Sequence, residues 1–157
     1  MIAVLSQYVS PSGQVGLLFF QREEWFRQHN LPYRRGYLFW GAPGNGKSAT
    51  IRVMAAHPHI QVYTLDLSDT EEKSASVLHL FEKAATNAPA LVIIEDLDRA
   101  FPTEGKRTRE RNVSFQTLLN CLDGVGSQDG VIVVATALAA RPGAVAAHRL
   151  QAVGHLV

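Results

Sequence analysis

The sequence predicts an α/β fold in which helices cover both faces of a parallel β-sheet. Short apolar runs, typical of strands buried on both faces, alternate with segments of helical periodicity. The first of these strands runs directly into a glycine-rich segment and then a helix, which is the order of elements around a phosphate-binding loop. The predicted strands are Tyr37–Trp40, Ile60–Leu67, Leu91–Ile94 and Val131–Thr136.

The length and composition are those of one globular domain. The chain has 157 residues, of which 46% are hydrophobic and 18% are charged, so it can bury a substantial core. A formal net charge of +1 gives no general attraction to nucleic acid or to an anionic membrane. The one cysteine, Cys121, cannot form an internal disulfide or a structural zinc site. Because no signal, transit or membrane-spanning segment is visible, we expect a cytoplasmic protein without a nucleic-acid partner.

The glycine-rich segment matches the phosphate-binding pattern G-x-x-x-x-G-K-S/T. Its glycines let the backbone fold tightly enough for successive N–H groups to surround phosphate oxygens, and the next helix presents its positive end to them. In this interpretation Lys47 binds the β- and γ-phosphates and the Ser48 hydroxyl is a Mg²⁺ ligand. A plain strand-to-helix turn is the alternative. The predicted nucleotide-binding residues are Gly41, Ala42, Pro43, Gly44, Asn45, Gly46, Lys47, Ser48 and Ala49.

Two acidic residues, Glu95 and Asp96, directly follow the buried strand Leu91–Ile94. In a parallel sheet this position brings them to the edge where the phosphate-binding loop also lies. We expect Glu95 to bind the metal and Asp96 to orient or deprotonate the attacking water, with an exchange of these two roles as one alternative. The other alternative is that both acids only cap the next helix. Asp98 is expected to be a structural or interface residue.

One helix is predicted over Val15–His29, before the first strand, and Pro32 follows it as a helix breaker. Arg34 and Arg35 come next, and we expect them on an exposed connecting loop, with direct phosphate contact as the alternative. Two further amphipathic helices are predicted, the second over Phe115–Val125. The apolar face of the helix Val15–His29 would contain Leu18, Phe19, Trp25 and Phe26. The apolar face of the first of the two amphipathic helices would contain Val77, Leu78, Leu80 and Phe81.

With the loop and the acids identified, the sequence resembles the ATPase domain of the AAA family. Within that family it is most similar to the ATPases related to the mitochondrial translocase that inserts the Rieske iron–sulfur protein. The resemblance covers roughly residues 14 to 136, which leaves residues 1–14 as a lead-in and 15–157 as the ATPase core. It is carried by Glu24–Phe26, Leu31–Leu38, Gly41–Ser48, Ile94–Phe101 and Leu118–Val125.

The resemblance implies a three-layer P-loop NTPase fold with strand order 5-1-4-3-2 and with ATP and Mg²⁺ as ligands. It also implies hydrolysis of ATP to ADP and phosphate, and a homo-oligomeric ring that remodels or translocates a protein client. Catalysis would then depend on Asp96, Glu95 and Lys47, with Ser48 and Glu95 at the metal. A nucleotide-binding module with little hydrolysis is the alternative. A P-loop kinase or nucleic-acid motor would need an acceptor pocket or a basic, aromatic-lined groove, and the sequence indicates neither.

The sequence departs from the family pattern after the fourth strand. Leu138 stands where relatives carry a polar sensor residue, and Thr136 is the nearby hydroxyl that could substitute for it in part. Arg141 matches the first of two arginines that enter a neighbouring subunit, whereas Ala144 stands at the second. The tail offers at most a degenerate fifth strand and no room for a helical lid, so we expect a truncated or divergent member. Asp66–Ser74 lacks the pore loop of peptide-threading relatives.

Overall fold

The computed structural model describes residues 17–67, 74–100, 115–123 and 129–138, in which strands and helices alternate. The strands are β1 (Arg34–Trp40), β2 (Gln61–Asp66), β3 (Ala90–Glu95) and β4 (Val131–Ala137). The helices are α1 (Leu17–Phe20), α2 (Glu23–Gln28), α3 (Lys47–Ala55), α4 (Ser74–Thr86), α5 (Leu97–Ala100) and α6 (Phe115–Asp123).

The four strands form one parallel sheet in the order β1-β4-β3-β2. Parallel neighbours need crossover connections, and helices supply them here, so the predicted α/β fold with a parallel sheet is confirmed. The order agrees with the 1-4-3-2 part of the predicted sheet. The predicted fifth strand and the tail from residue 139 onward lie outside the described residues.

The sheet is buried on both faces at β3 and β4, whose alternate residues pack on opposite sides. Every residue of β4 and all of β3 except Glu95 is buried, as expected for strands covered twice. Fully burying one such apolar side chain contributes roughly 1.5–3 kcal/mol. One face packs against α4, α5 and α6 through Val77, Phe81, Leu97, Leu118 and Leu122. The other packs against α1, α2 and α3 through Phe19, Phe26, Ile51 and Met54.

The single helix predicted over Val15–His29 is wrong, because α1 and α2 are separate. In one continuous helix Phe19 and Phe26 would be about 10 Å apart along the axis. Their ring centroids are instead 5.5 Å apart, and both rings pack against Tyr33. A turn in which the N–H of Arg22 donates to the carbonyl of Phe19 (3.0 Å) brings them together. Trp25 is half-buried, and the side chain of Leu18 lies outside what the structure describes.

Arg34 and Arg35 are half-buried residues of β1, and the prediction of an exposed loop is wrong. The strand begins this early because Arg34 pairs with Val131 at the start of β4. Both arginines lie at the beginning of the seven-residue strand, whose far end is about 20 Å away. Direct contact with phosphate at that far end is therefore excluded as well.

The apolar face predicted for α4 is right except at one position. Val77 and Phe81 are buried and Leu80 is half-buried, but Leu78 keeps 45% of its surface exposed. Val77, Phe81 and Ala84 follow the i, i+4, i+7 spacing of one helix face, and Leu78 lies about 100° around the helix from Val77.

A row of hydrogen bonds crosses the sheet where its strands begin, which we call the amino edge. The N–H of Gly130 donates to the carbonyl of Tyr33 (2.6 Å), and the N–H of Ala90 donates to the carbonyl of Gly130 (3.0 Å). The N–H of Gln61 donates to the carbonyl of Pro89 (3.0 Å), which extends the row to β2. All four strands are thus joined by main-chain groups at this edge.

Candidate functional site

The strand register places the glycine-rich loop and the acidic pair at the same edge of the sheet, which we call the carboxyl edge. Ile94 of β3, Ala135 of β4 and Leu38 of β1 lie side by side. Two residues after Ile94, past the end of β3, is Asp96. Two residues after Leu38 is Trp40, which ends β1 and directly precedes the loop. Only β4 separates the two segments, and two strand spacings amount to roughly 10 Å.

The loop is held at both ends and exposed in the middle. The N–H of Gly41 donates to the carbonyl of Ala137 (3.2 Å), which fixes the loop to the end of β4. Gly46 has a left-handed backbone with φ 81° and is the N-cap of α3. The first-turn N–H groups of such a helix have no partner within the helix and are available to an anion. The exposed residues are Ala42, Pro43, Gly44, Ser48 and Ala49, whereas Asn45 and Gly46 are half-buried.

The Lys47 side chain folds back over the loop. Its ammonium donates to the carbonyls of Gly41 (2.7 Å) and Ala42 (3.1 Å). The hydroxyl of Thr50, one turn further along α3, donates to the carbonyl of Gly46 (3.1 Å). A positive charge therefore lies among main-chain groups at the beginning of a helix, where an anion is stabilised.

Glu95 and Asp96 differ in backbone conformation and in orientation. Glu95 ends β3 and is exposed. Alternate residues of a strand lie on the same face, so Glu95 shares its face with Leu91 and Ile93, which pack on the side covered by α3. Glu95 is therefore on the sheet face where Lys47 and Ser48 begin that helix. Asp96 is half-buried and has a left-handed backbone with φ 50°, a conformation that aspartate adopts more readily than most residues.

Two hydrogen bonds that sequence reasoning missed join the acidic segment to the end of β4. The N–H of Asp96 donates to the Thr136 hydroxyl oxygen (3.0 Å), and the N–H of Leu138 donates to Oδ2 of Asp98 (3.2 Å). The sequence signal for the first was a lone hydroxyl near the end of an apolar strand. Asp98 thus has the structural contact expected of it. Its Oδ1 is buried and has no hydrogen-bond partner among the described residues.

The remaining predicted features of the site lie outside the described residues. These are Arg141, Ala144, the basic run within residues 101–114 and most of Asp66–Ser74. In the described ranges no group of three or more His, Cys, Asp or Glu residues could hold a metal ion by itself. No helix in those ranges is both long and apolar enough to cross a bilayer.

Residues 37–149 match the family described as "ATPase family associated with various cellular activities (AAA)". The chain belongs to the AAA family. The resemblance predicted from the motifs is therefore confirmed, and the sheet described above is that of a P-loop NTPase.

Among similar proteins, the "Probable mitochondrial chaperone BCS1-A" of Dictyostelium discoideum is 35% identical over 126 residues, which cover 75% of this chain and 30% of that protein. The "Mitochondrial chaperone BCS1" of Homo sapiens is 34% identical over 125 residues, covering 75% of this chain and 29% of that protein. The "ATPase family gene 2 protein" of Schizosaccharomyces pombe is 32% identical over 125 residues, covering 74% and 15%. This AAA domain thus spans less than a third of the length of these relatives.

Proposed function

We propose that this AAA domain binds MgATP at the carboxyl edge of the sheet and hydrolyses it to ADP and phosphate. The observation that carries the proposal is the common location of two separate segments. Glu95 and Asp96 are 48 and 49 residues from Lys47 in sequence, yet the acids and the glycine-rich loop lie at one edge with a single strand between them. A polyphosphate bound to the loop would therefore extend toward the acids.

In this proposal the loop from Gly41 to Ala49 binds the phosphates through its main-chain N–H groups. The ammonium of Lys47 exchanges its two carbonyl partners for oxygens of the β- and γ-phosphates, because a cation is attracted more strongly to an anionic oxygen than to a neutral carbonyl. The Ser48 hydroxyl and the Glu95 carboxylate are the protein ligands of Mg²⁺. When bound, this ion neutralises charge that develops on the phosphate oxygens.

Asp96 is the group we assign to the attacking water. Its carboxylate accepts a hydrogen bond or a proton from the water, which aligns an oxygen lone pair with the γ-phosphorus. The water oxygen forms the new bond to phosphorus, and the bond to the β-phosphate oxygen breaks, so that ADP leaves. Exchange of roles between Asp96 and Glu95 remains the alternative, since both are carboxylates at the same edge.

We further propose that the hydrolysis serves a chaperone-type activity on a protein client, carried out by a ring of several copies. The support is that the similar proteins from Dictyostelium discoideum and Homo sapiens are named mitochondrial chaperones. The names of those relatives are mitochondrial, whereas the location expected for this chain from its sequence is cytoplasmic. The cytoplasmic location stays a prediction. A measurement of native mass with and without ATP tests the ring, and a monomer under both conditions would contradict it.

A second candidate is a domain that binds ATP and turns it over little or not at all. The observation that favours it is Leu138, which stands at the position expected for a polar sensor and keeps 39% of its surface exposed. A hydrocarbon side chain cannot hydrogen-bond to a γ-phosphate or to water. The two candidates share the binding step and differ only in phosphate release.

Titration calorimetry with MgATP and a phosphate-release assay test both candidates together. Replacement of Lys47 by Ala should weaken MgATP binding about 10- to 100-fold, since a hydrogen bond to a charged group contributes about 1.5–3 kcal/mol. Lys83→Ala is the matched control, because Lys83 is an exposed lysine on α4, and it should leave binding unchanged. Binding without phosphate release would favour the second candidate, whereas a wild-type chain that does not bind MgATP would contradict both.

A further inference from the structure

The strands β3 and β4 stay connected beyond the point where their ladder ends. Their last paired residues are Ile94 and Ala135. Past this pair, each segment donates one main-chain N–H to a side chain of the other: Asp96 to Thr136, and Leu138 to Asp98. Within each segment the donor and the acceptor are two residues apart in sequence, Asp96 and Asp98 in one and Leu138 and Thr136 in the other. We call this reciprocal pair of hydrogen bonds the β3–β4 clamp.

Thr136 stands out in β4 because the other six residues of the strand are Val, Ile or Ala. It is buried, with 6% of its surface exposed, and it is the buried polar residue of the described core. A buried hydroxyl is unfavourable unless it is hydrogen-bonded, and valine would fill nearly the same volume without that requirement. The hydroxyl is therefore best explained by its bond to the N–H of Asp96.

The bond holds a residue whose backbone is in the left-handed region, at φ 50°. Aspartate adopts this region more readily than most residues, and residues other than glycine that are held there cluster at functional sites. The anchor is a side chain of a central strand whose residues are all buried, so it is rigid. The bond to Thr136 therefore helps to fix the main chain from which the Asp96 carboxylate projects.

Asp98 accepts the second hydrogen bond of the clamp, and the burial of its carboxylate is unfavourable. Its Oδ2 accepts the N–H of Leu138, while its Oδ1 is buried without a hydrogen-bond partner within the described ranges. Burying a carboxylate oxygen in this way is unfavourable, and an apolar residue would avoid it. The contact joins the start of α5 to the residue directly after β4, which is where the sequence departs from the family pattern.

We propose that Thr136 and Asp98 are positioning residues for ATP hydrolysis, which act by holding Asp96 and the end of β4 as one unit. The inference rests on the proposed function, since it assigns a role within that reaction. Neither residue touches the nucleotide in this scheme. A change in the Asp96 backbone would be transmitted through Thr136 to β4, and through Asp98 to Leu138.

Replacement of Thr136 by Val tests the first half of the clamp. The variant keeps the side-chain volume and removes the acceptor, so we expect kcat to fall about 10- to 100-fold, as displacements near 1 Å do in active sites. The affinity for MgATP should stay within about twofold, because the phosphate-binding groups are untouched. Thr136→Ser restores the hydroxyl and should recover most of kcat. Thr64→Val is the matched control, since Thr64 is an exposed threonine of β2.

Hydrogen exchange provides a readout that does not depend on turnover. The Asp96 amide should exchange faster in Thr136→Val than in the wild type, and it should be slow again in Thr136→Ser. Asp98→Ala should have the same effect on the Leu138 amide, whereas Asp98→Asn retains an acceptor oxygen there and should have little. If the two contacts act as one unit, Thr136→Val combined with Asp98→Ala should lower kcat no further than the more damaging single variant.

The outcomes separate this inference from the proposed function. Equal kcat in the wild type and Thr136→Val, or a Thr136→Ser variant as slow as Thr136→Val, would overturn the inference and leave nucleotide binding standing. Wild-type protein that binds MgATP without releasing phosphate would also overturn it, since there would be no hydrolysis to serve. Failure of the wild type to bind MgATP would overturn the proposed function and the inference with it.

Discussion

The two edges of the sheet are built from the same four strands and differ in how β3 and β4 are joined. At the amino edge, main-chain groups of Tyr33, Gly130 and Ala90 bond directly to one another across three strands. At the carboxyl edge, β3 and β4 are joined through the side chains of Thr136 and Asp98, and the loop beside them is exposed. Main-chain hydrogen bonds thus join the strands at the amino edge, whereas the carboxyl edge leaves polar groups of the loop available for a ligand.

The chain direction explains this division. In a parallel sheet all strands end at the same edge, so the beginnings of α3 and α5 both lie at the carboxyl edge after β1 and β3. The N–H groups of those first turns point toward the space beyond the sheet. The comparison therefore predicts that substitutions at the carboxyl edge change turnover or binding, and that substitutions at the amino edge change stability.

Replacement of Asp96 by Asn should have the largest effect and lower kcat about 10²- to 10⁴-fold, the range for loss of a general base. Asparagine tolerates the left-handed backbone of Asp96, so the melting temperature should not change. Asp129→Asn is the matched control at the amino edge, because Asp129 accepts the N–H of Tyr33 (3.2 Å) and asparagine keeps an acceptor oxygen. Steady-state phosphate release compares the two variants. A larger loss in Glu95→Gln than in Asp96→Asn would show that the roles of the acids are exchanged.

Gly130→Ala should destabilise the amino edge by about 2 kcal/mol, since the left-handed backbone at φ 77° costs an alanine about 1–2 kcal/mol and a steric clash adds to it. The new Cβ would lie 2.9 Å from the Cβ of Ala88. We expect the melting temperature to fall by about 4–8 °C, with kcat and MgATP affinity per folded molecule unchanged. Thermal unfolding followed by circular dichroism measures the shift. A stable variant with weakened ATP binding would contradict the division between the edges.

Gly44→Ala, at the carboxyl edge, should weaken MgATP binding and leave the stability of the fold almost unchanged. Gly44 also has a left-handed backbone, at φ 82°, but no atom lies within 4 Å of an added Cβ. Since the exposed loop can relax, the melting temperature should hardly change. The relaxed loop no longer directs its N–H groups at phosphate, so MgATP affinity should fall about tenfold, in proportion to a conformational cost of about 1–2 kcal/mol. Calorimetry checks the affinity, and unchanged binding would count against the loop as the phosphate site.

The last prediction concerns the free energy of unfolding at alkaline pH and two buried side chains. Burial, with a smaller contribution from Glu23, raises the pKa of Tyr33 from 10.0 to about 12. Burial, with a smaller contribution from Glu82, raises the pKa of Cys121 from 9.0 to about 11. Both groups bind their proton more tightly in the folded state, so their contribution to stability is complete below pH 9 and is lost between about pH 9 and 12.

The double variant Tyr33→Phe with Cys121→Ala should remove most of this pH dependence. Urea unfolding at several pH values between 8 and about 12 measures the free energy of unfolding, whose decline with pH should be steeper in the wild type. Equal slopes in the two proteins would show that other groups govern alkaline unfolding.

The sequence predicted those parts of the molecule that depend on local pattern. The four strands and the parallel sheet follow from the apolar runs, and the loop before α3 follows from the spacing of Gly41, Gly46 and Lys47. Each of these signals lies within one short segment of the sequence. The start of β1 at Arg34 could not be predicted, because it depends on pairing with a strand almost 100 residues later. The separation of α1 from α2 likewise depends on rings that meet at Tyr33.

The candidate site shows the same limit. Glu95 and Asp96 could be assigned to the carboxyl edge from sequence because a strand ends there. Their different conformations, and the bond from Asp96 to Thr136 across 40 residues, are tertiary. A threonine in a buried strand is often only a β-branched residue that suits a sheet, so its type alone does not indicate an anchor.

Hydrogen–deuterium exchange of the full chain with and without MgATP tests the central claim most directly, because it reports where the nucleotide is bound. We predict slower exchange of the amides of the loop Gly41–Ser48 when MgATP is added, and unchanged exchange at Tyr33, Ala90 and Gly130 on the amino edge. Unchanged exchange throughout the loop at saturating MgATP, or protection confined to the amino edge, would contradict the assignment of the carboxyl edge as the nucleotide site.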